Sequence, residues 1–130
     1  AQVALARSDI EGARTYSRAA LTHAGYGRDE PHSAVGQALI TSTRVALRAG
    51  DLDDAERYGK DALTMTEALA RAEDTSADVG EALLRLAQVR LAQGSTVEAR
   101  ELLMRAVRCL TNGFGETHTL TREARDLLHQ

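Results

Sequence analysis

The sequence predicts an all-α protein, built as a solenoid of stacked antiparallel helical hairpins. Three observations carry this expectation. Alanine and leucine supply 40 of the 130 residues, a composition that favours helix. Aromatic residues make up only 3% and runs of β-branched residues are few, which disfavours a sheet. Most telling, two independent sets of segments recur along the chain at matching spacings, the signature of a repeat architecture.

The first set is SDIEGARTYSRAAL from Ser8, GDLDDAERYGKDAL from Gly50 and GSTVEARELLMRAV from Gly94, at spacings of 42 and 44 residues. Ala13, Ala55 and Ala99 share one column, and Ala20, Ala62 and Ala106 another. The second set is PHSAVGQALITS from Pro31, TSADVGEALLRL from Thr75 and THTLTREARDLL from Thr117, at spacings of 44 and 42. Ala38, Ala82 and Ala124 align within it.

Seven helical pieces follow, over about 1–7, 9–24, 32–49, 52–73, 76–93, 96–111 and 117–130, with ends good to ~2–4 residues. The piece at 9–24 opens on Asp9 and carries the stripe Ala13, Tyr16, Ala20 and Leu21. Val35, Leu39, Val45 and Ala46 place 32–49 in a helix, and Val79, Leu83, Leu86 and Val89 do the same for 76–93. Leu52, Ala55, Tyr58, Ala62 and Leu63 form one face of 52–73. Gly50 and Gly94 sit just past a helix end, where a left-handed backbone is needed. Asp51 and Ser95 follow as N-caps, whose side chains accept orphan amide hydrogens. Asp53, Asp54 and Glu98 lie in first turns, where the helix dipole favours acids. A hairpin of two such helices cannot bury its apolar face alone, whereas stacked hairpins can. The alanine columns let helix axes approach where they cross.

The length fits one domain, since about 100–200 residues make one. We divide it into a partial repeat (1–24), two repeats (32–73 and 76–111) and the start of a further one (117–130). Net charge is −3, which gives no basic surplus for nucleic acid. A single cysteine, Cys109, excludes an internal disulfide framework. No apolar run approaches the ~18 residues of a membrane span. Fifteen arginines against one lysine, Lys60, point to a GC-rich bacterial source. The expected setting is cytoplasmic.

Reactive chemistry finds little support. The glycines at 25–27 and 113–115 lack the Lys-Ser/Thr of a phosphate loop. His23, His32, His118 and His129 stand at no metal-ligand spacing; His32 and His118 share a repeat column, which reads as local packing or capping, or as a gathered metal or pH site. Cys109 reads as a small hydrophobe. Asp51, Asp53, Asp54, Glu56, Glu73 and Asp74 read as a solvated face. Arg85, Arg100, Arg105 and Arg108 are interspersed with acids and form no stripe for a duplex. We expect no catalysis, no cofactor, no metal, no nucleic acid bound by this domain and no membrane association.

On its alanine and glycine columns the chain resembles the tetratricopeptide repeat (TPR). That pattern keeps alanine at two places on the second helix of each hairpin, matched by Ala55 with Ala99 and Ala62 with Ala106, and at one on the first, matched by Ala87. The first complete repeat departs from it with Ser42 and Thr43, which predicts looser packing there. The period exceeds the common ~34 residues and is similar to the longer kinesin-light-chain type, whose Gly-x-x-His-Pro linker GYGRDEPHS (25–33) and GFGETHT (113–119) echo. HEAT or armadillo repeats of ~40–47 residues fit the period but fit these columns less well. The resemblance implies a right-handed α-solenoid. Its register starts and stops the chain inside helices, so we expect a piece of a larger bacterial protein, a regulator (transcription included) or a scaffold.

In that family the first helix of each repeat lines a concave binding surface. Carried over, the partner-binding residues are Gln37, Ile40, Arg44 and Leu47, then Glu81, Leu84, Gln88 and Leu91, with Gln2, Leu5, Glu123, Asp126 and Gln130 from the flanking half-repeats. Leu5, Ile40, Leu47, Leu84 and Leu91 make an apolar ladder, which equally fits burial under a neighbour. Arg44 suits a carboxylate, but with Glu81, Glu123 and Asp126 nearby a basic or apolar helix is the better expected occupant. The expected function is non-catalytic binding of a peptide or partner helix. The alternative is self-association as a homodimer through Leu120, Leu127 and Leu128.

Overall fold

A computed structural model describes residues 33–73 and 76–130. The helical pieces expected over 1–7 and 9–24, and the groove residues Gln2 and Leu5, lie outside the described residues. The rest is all-helical: α1 (Ser33–Ala49), α2 (Leu52–Glu73), α3 (Ser76–Ala92), α4 (Thr96–Phe114) and α5 (Thr119–Leu128). Each helix packs against the next, and α1 also packs against α3.

The two short turns inside the hairpins are built alike. Gly50 and Gly94 have φ of 77° and 82°, a region that costs other residues steric strain. Gly50 N–H donates to the Leu47 carbonyl (3.1 Å) and Asp51 N–H to that of Ala46 (2.9 Å). In the second hairpin Gly94 N–H donates to Leu91 (3.1 Å) and Ser95 N–H to Arg90 (2.8 Å). This pairing is the Schellman arrangement, which satisfies the last carbonyls of a helix and reverses the chain. Asp51 then caps α2, accepting from Asp54 N–H at 3.5 Å. Ser95 occupies the same place before α4, but its side chain makes no capping bond.

The alanine columns lie where the helices cross. Ala55, Ala99, Ala62, Ala106, Ala82, Ala124 and Ala87 are all fully buried. Thr43, which stands in the column of Ala87, is fully buried too. Its hydroxyl donates to the Leu39 carbonyl one turn back (2.8 Å), so the polar group goes in with its hydrogen bond made. Ser42 is buried beside it.

Three apolar clusters meet on α3. Val79, Leu83, Leu84 and Ala87 pack with Leu103, Ala106 and Leu110 of α4 and Ala124 of α5. Ala82 packs with Val35, Leu39, Ile40 and Ala62. Leu86 and Val89 pack with Ala46 and Ala55. Each fully buried leucine contributes about 1.5–3 kcal/mol. Leu120, Leu127 and Leu128 lie partly buried against the first cluster, so their apolar surface is largely used within the chain.

α4 runs to Phe114, past the end expected at 111. Gly113 stays helical there because α3 passes close: a Cβ on it would lie 2.5 Å from Ala77 Cβ. The absence of a side chain serves packing at this site, which sequence pattern alone reads as a break.

Glycine also sets the closeness of both hairpins at one shared crossing. A Cβ on Gly80 would meet Leu110 Cγ at 2.7 Å and the Leu110 backbone nitrogen at 3.0 Å; on Gly36 it would meet side chains alone, a methyl of Thr66 at 3.3 Å and Met65 Cγ at 3.8 Å. Alanine is the better helix former by about 1 kcal/mol, yet Gly80→Ala should destabilise by about 1–3 kcal/mol because backbone must move. Gly36→Ala should fall within about 1 kcal/mol of wild type. Urea unfolding of both variants, followed by circular dichroism, checks the contrast.

Candidate functional site

α1, α3 and α5 together form an open hollow of about 390 Å³. It is lined by Arg44, Leu47 and Arg48 from α1, Arg85 and Gln88 from α3, and Glu123 from α5. Four anticipated groove residues therefore meet: Arg44, Leu47, Gln88 and Glu123. Helix geometry explains it, since Arg44, Leu47 and Arg48 are three and four residues apart and share a face.

The other anticipated residues fare differently. Ile40 and Leu84 are buried in the core clusters, so neither is open to a partner and the apolar ladder is broken there. The cause is that α3 is enclosed by α1, α2, α4 and α5 and has no apolar face left over. Glu81 is half-buried beside the hollow and reaches it only through Arg85. Gln37 is exposed, and its Nε2 donates to Asp78 Oδ1 at 2.9 Å. Leu91 is half-buried, and Asp126 and Gln130 are exposed; none of the three lines the hollow.

Two lining residues escaped the sequence reading, Arg48 and Arg85. The Arg85 side chain is only 6% exposed. Its Nη1 donates to Gln88 Oε1 (3.0 Å) and Glu123 Oε1 (3.1 Å), and its Nη2 to Glu81 Oε2 (3.5 Å). Gln88 Nε2 also donates to Glu123 Oε1, at 3.2 Å. Arg85 Nε is buried without a hydrogen-bond partner. A buried cation is tolerated only when paired and hydrogen-bonded; Glu81, Gln88 and Glu123 do this for Arg85 and so join α5 to α3. The signal was present in sequence as Glu81 and Arg85 four residues apart, a favourable order on a helix. What was missing was that Glu123 comes to the same point. Arg44 and Arg48, by contrast, are exposed and make no ion pair with any described residue.

A second ionic centre surrounds Arg90. Its Nη1 donates to Glu56 Oε1 of α2 (2.6 Å) and Gln93 Oε1 (2.8 Å), and its Nε lies 3.2 Å from Glu98 Oε2 of α4. A smaller hollow of about 250 Å³ beside it is lined by Leu86, Arg90, Glu98, Glu101, Leu102 and Arg105. The Arg90 guanidinium, and then Lys60 at 3.3 Å, hold the Glu56 carboxyl below the usual carboxylate range.

The remaining candidates have local roles. His118 caps α5, its Nδ1 accepting from Leu120 N–H at 3.1 Å, and its ring stacks on Phe114 at 4.1 Å between centroids. His32 lies outside the described residues. Cys109 is partly buried against the α3–α4 core. Among the described residues no group of three metal-ligating side chains comes together, and no helix is long and apolar enough to cross a membrane.

Removing Arg85 leaves Glu81 and Glu123 facing each other without their cation. Arg85→Ala should cost about 2–4 kcal/mol in urea unfolding, near the range for breaking a buried pair, because Glu123 is itself 36% exposed. Arg85→Met, which keeps the apolar stem but not the charge, should recover less than half of that. The lowered Glu56 pKa means its ion pairs stabilise the fold above the ordinary carboxylate range and are lost as pH falls through it. Glu56→Gln should therefore lower Tm at neutral pH, with the deficit shrinking as pH falls below the ordinary carboxylate range, as a calorimetric pH series would read.

No family model matches the chain, and no curated protein or solved structure is detectably similar to it, so the role of this face has to be read from its own side chains.

Proposed function

We propose that this chain is a non-catalytic protein–protein interaction module, a right-handed α-solenoid of TPR-like hairpins that binds a peptide or partner helix on its α1/α3/α5 face. It would serve as the repeat region of a larger bacterial regulatory or scaffold protein in the cytoplasm. One observation carries this reading: Arg44, Leu47, Gln88 and Glu123, spread over three helices and 80 residues of sequence, line one open hollow. Concave surfaces made by stacked hairpins suit extended or helical segments. The hollow offers a leucine, an amide and two guanidinium groups, Arg44 and Arg48, without an acidic partner among the described residues, a set suited to recognising and holding a segment.

A display library of random 12-residue peptides, screened against the 130-residue chain, tests it. Selected peptides should bind saturably in fluorescence anisotropy. Arg44→Glu should weaken them at least ten-fold, about 1.4 kcal/mol, with helicity unchanged. Leu84 is unsuitable for this purpose, because its substitution reports on folding. A library that gives no saturable binder, or binders indifferent to Arg44→Glu, overturns the reading.

A further inference from the structure

The charge around the hollow differs from what its sequence composition implies. Counting Glu81, Glu123 and Asp126 against Arg44 gives an acidic groove suited to a basic helix. The hydrogen bonds reverse that balance. Glu81 and Glu123 are both committed to Arg85, and Asp126 does not line the hollow. With Arg85 matched by those two acids, the lining is left with the charges of Arg44 and Arg48. On a chain of net charge −3 this is a local positive concavity, and its two accessible cations, Arg44 and Arg48, have no acidic partner among the described residues.

We infer that the segment bound on this face is an acidic peptide, with carboxylates seated on Arg44 and Arg48 and an apolar side chain over Leu47. The inference rests on the proposed binding role and specifies its ligand. Arg44 and Arg48 stand one helical turn apart, so their Cβ atoms are about 5–6 Å from one another. Two carboxylates one turn apart on a helix match that distance, as do alternate residues of a strand at about 6.5–7 Å. Guanidinium groups grip carboxylates bidentately. Arg85 adds nothing to this attraction, because Glu81 and Glu123 already match its charge. The same features repel a basic segment, since lysines would face two unpaired arginines.

Three labelled 14-residue peptides test this, identical in a leucine–alanine background except that the same four positions carry Glu, Gln or Lys. A 14-nucleotide single-stranded DNA provides a phosphate arm. In anisotropy with the 130-residue chain at ~0.1 M salt, the Glu peptide should bind at least ten-fold tighter than the Gln and Lys peptides. That advantage should vanish in Arg44→Ala/Arg48→Ala. It should persist in Arg100→Ala/Arg108→Ala, which removes the same charge from exposed positions of α4 outside the hollow. Equal loss in both double variants would show general charge attraction and overturn the inference. Tighter binding by the Gln or Lys peptide overturns the acidic preference and leaves the interaction role standing. Tighter binding by DNA, displacing the Glu peptide, overturns it in favour of phosphate. Failure of all four probes overturns it too, while the display screen decides the binding role separately.

Discussion

Among the described residues, the three apolar clusters all meet on α3. From Ala82 to Ala87 six consecutive residues are buried, so the helix has no solvent face over its middle turn and a half. An amphipathic helix gives one face to the core and one to water; α3 gives all of its faces to neighbours. Its flanks differ accordingly: Gly80 and Leu83 face α4, Ala82 meets α1 and α2, Leu86 fits against the start of α2, and Arg85 turns toward α5. The hollow lies where α1, α3 and α5 meet, with Arg85 and Gln88 of α3 on its lining.

Arg85 is the one charged side chain in that run, and its presence there is what a repeat of pure packing would not require. The equivalent place in the preceding repeat is Thr41, which is exposed. The chain thus breaks its own repeat at the point where α5 must be held. Burying a cation is costly and rarely adds net stability over an apolar side chain of the same size. What it does provide is direction: Glu123 has to reach Arg85, which fixes the placement of α5 on α3.

Much of this fold was legible in the sequence because the repeat is local. Glycine at a helix end, an Asx or Ser beyond it and alanine at fixed columns each act within a few residues, and α1, α2 and α3 follow the expected spans to within a residue. What escaped was long-range. Gly113 reads as a terminator until Ala77, on another helix, is seen against it. Ile40 and Leu84 sit in register with Arg44 and Gln88 and read as one ladder, but enclosure from both sides takes the apolar members into the core and leaves the polar ones at the surface. The charge of the hollow escaped for the same reason, since composition gives formal charges and only the fold reveals which acids are already engaged.

The third wall of the hollow has a thermodynamic character of its own. α5 is ten residues long, about 15 Å, too short for a stable helix by itself in water. Its order comes from Thr121 and Ala124 buried beneath it, from the His118 cap and from the Glu123 link to α3. Docking of α5 and existence of the hollow are therefore one equilibrium. A segment that binds only the docked form draws that equilibrium toward order by mass action, so occupancy of the face and protection of the C-terminal amides rise and fall together.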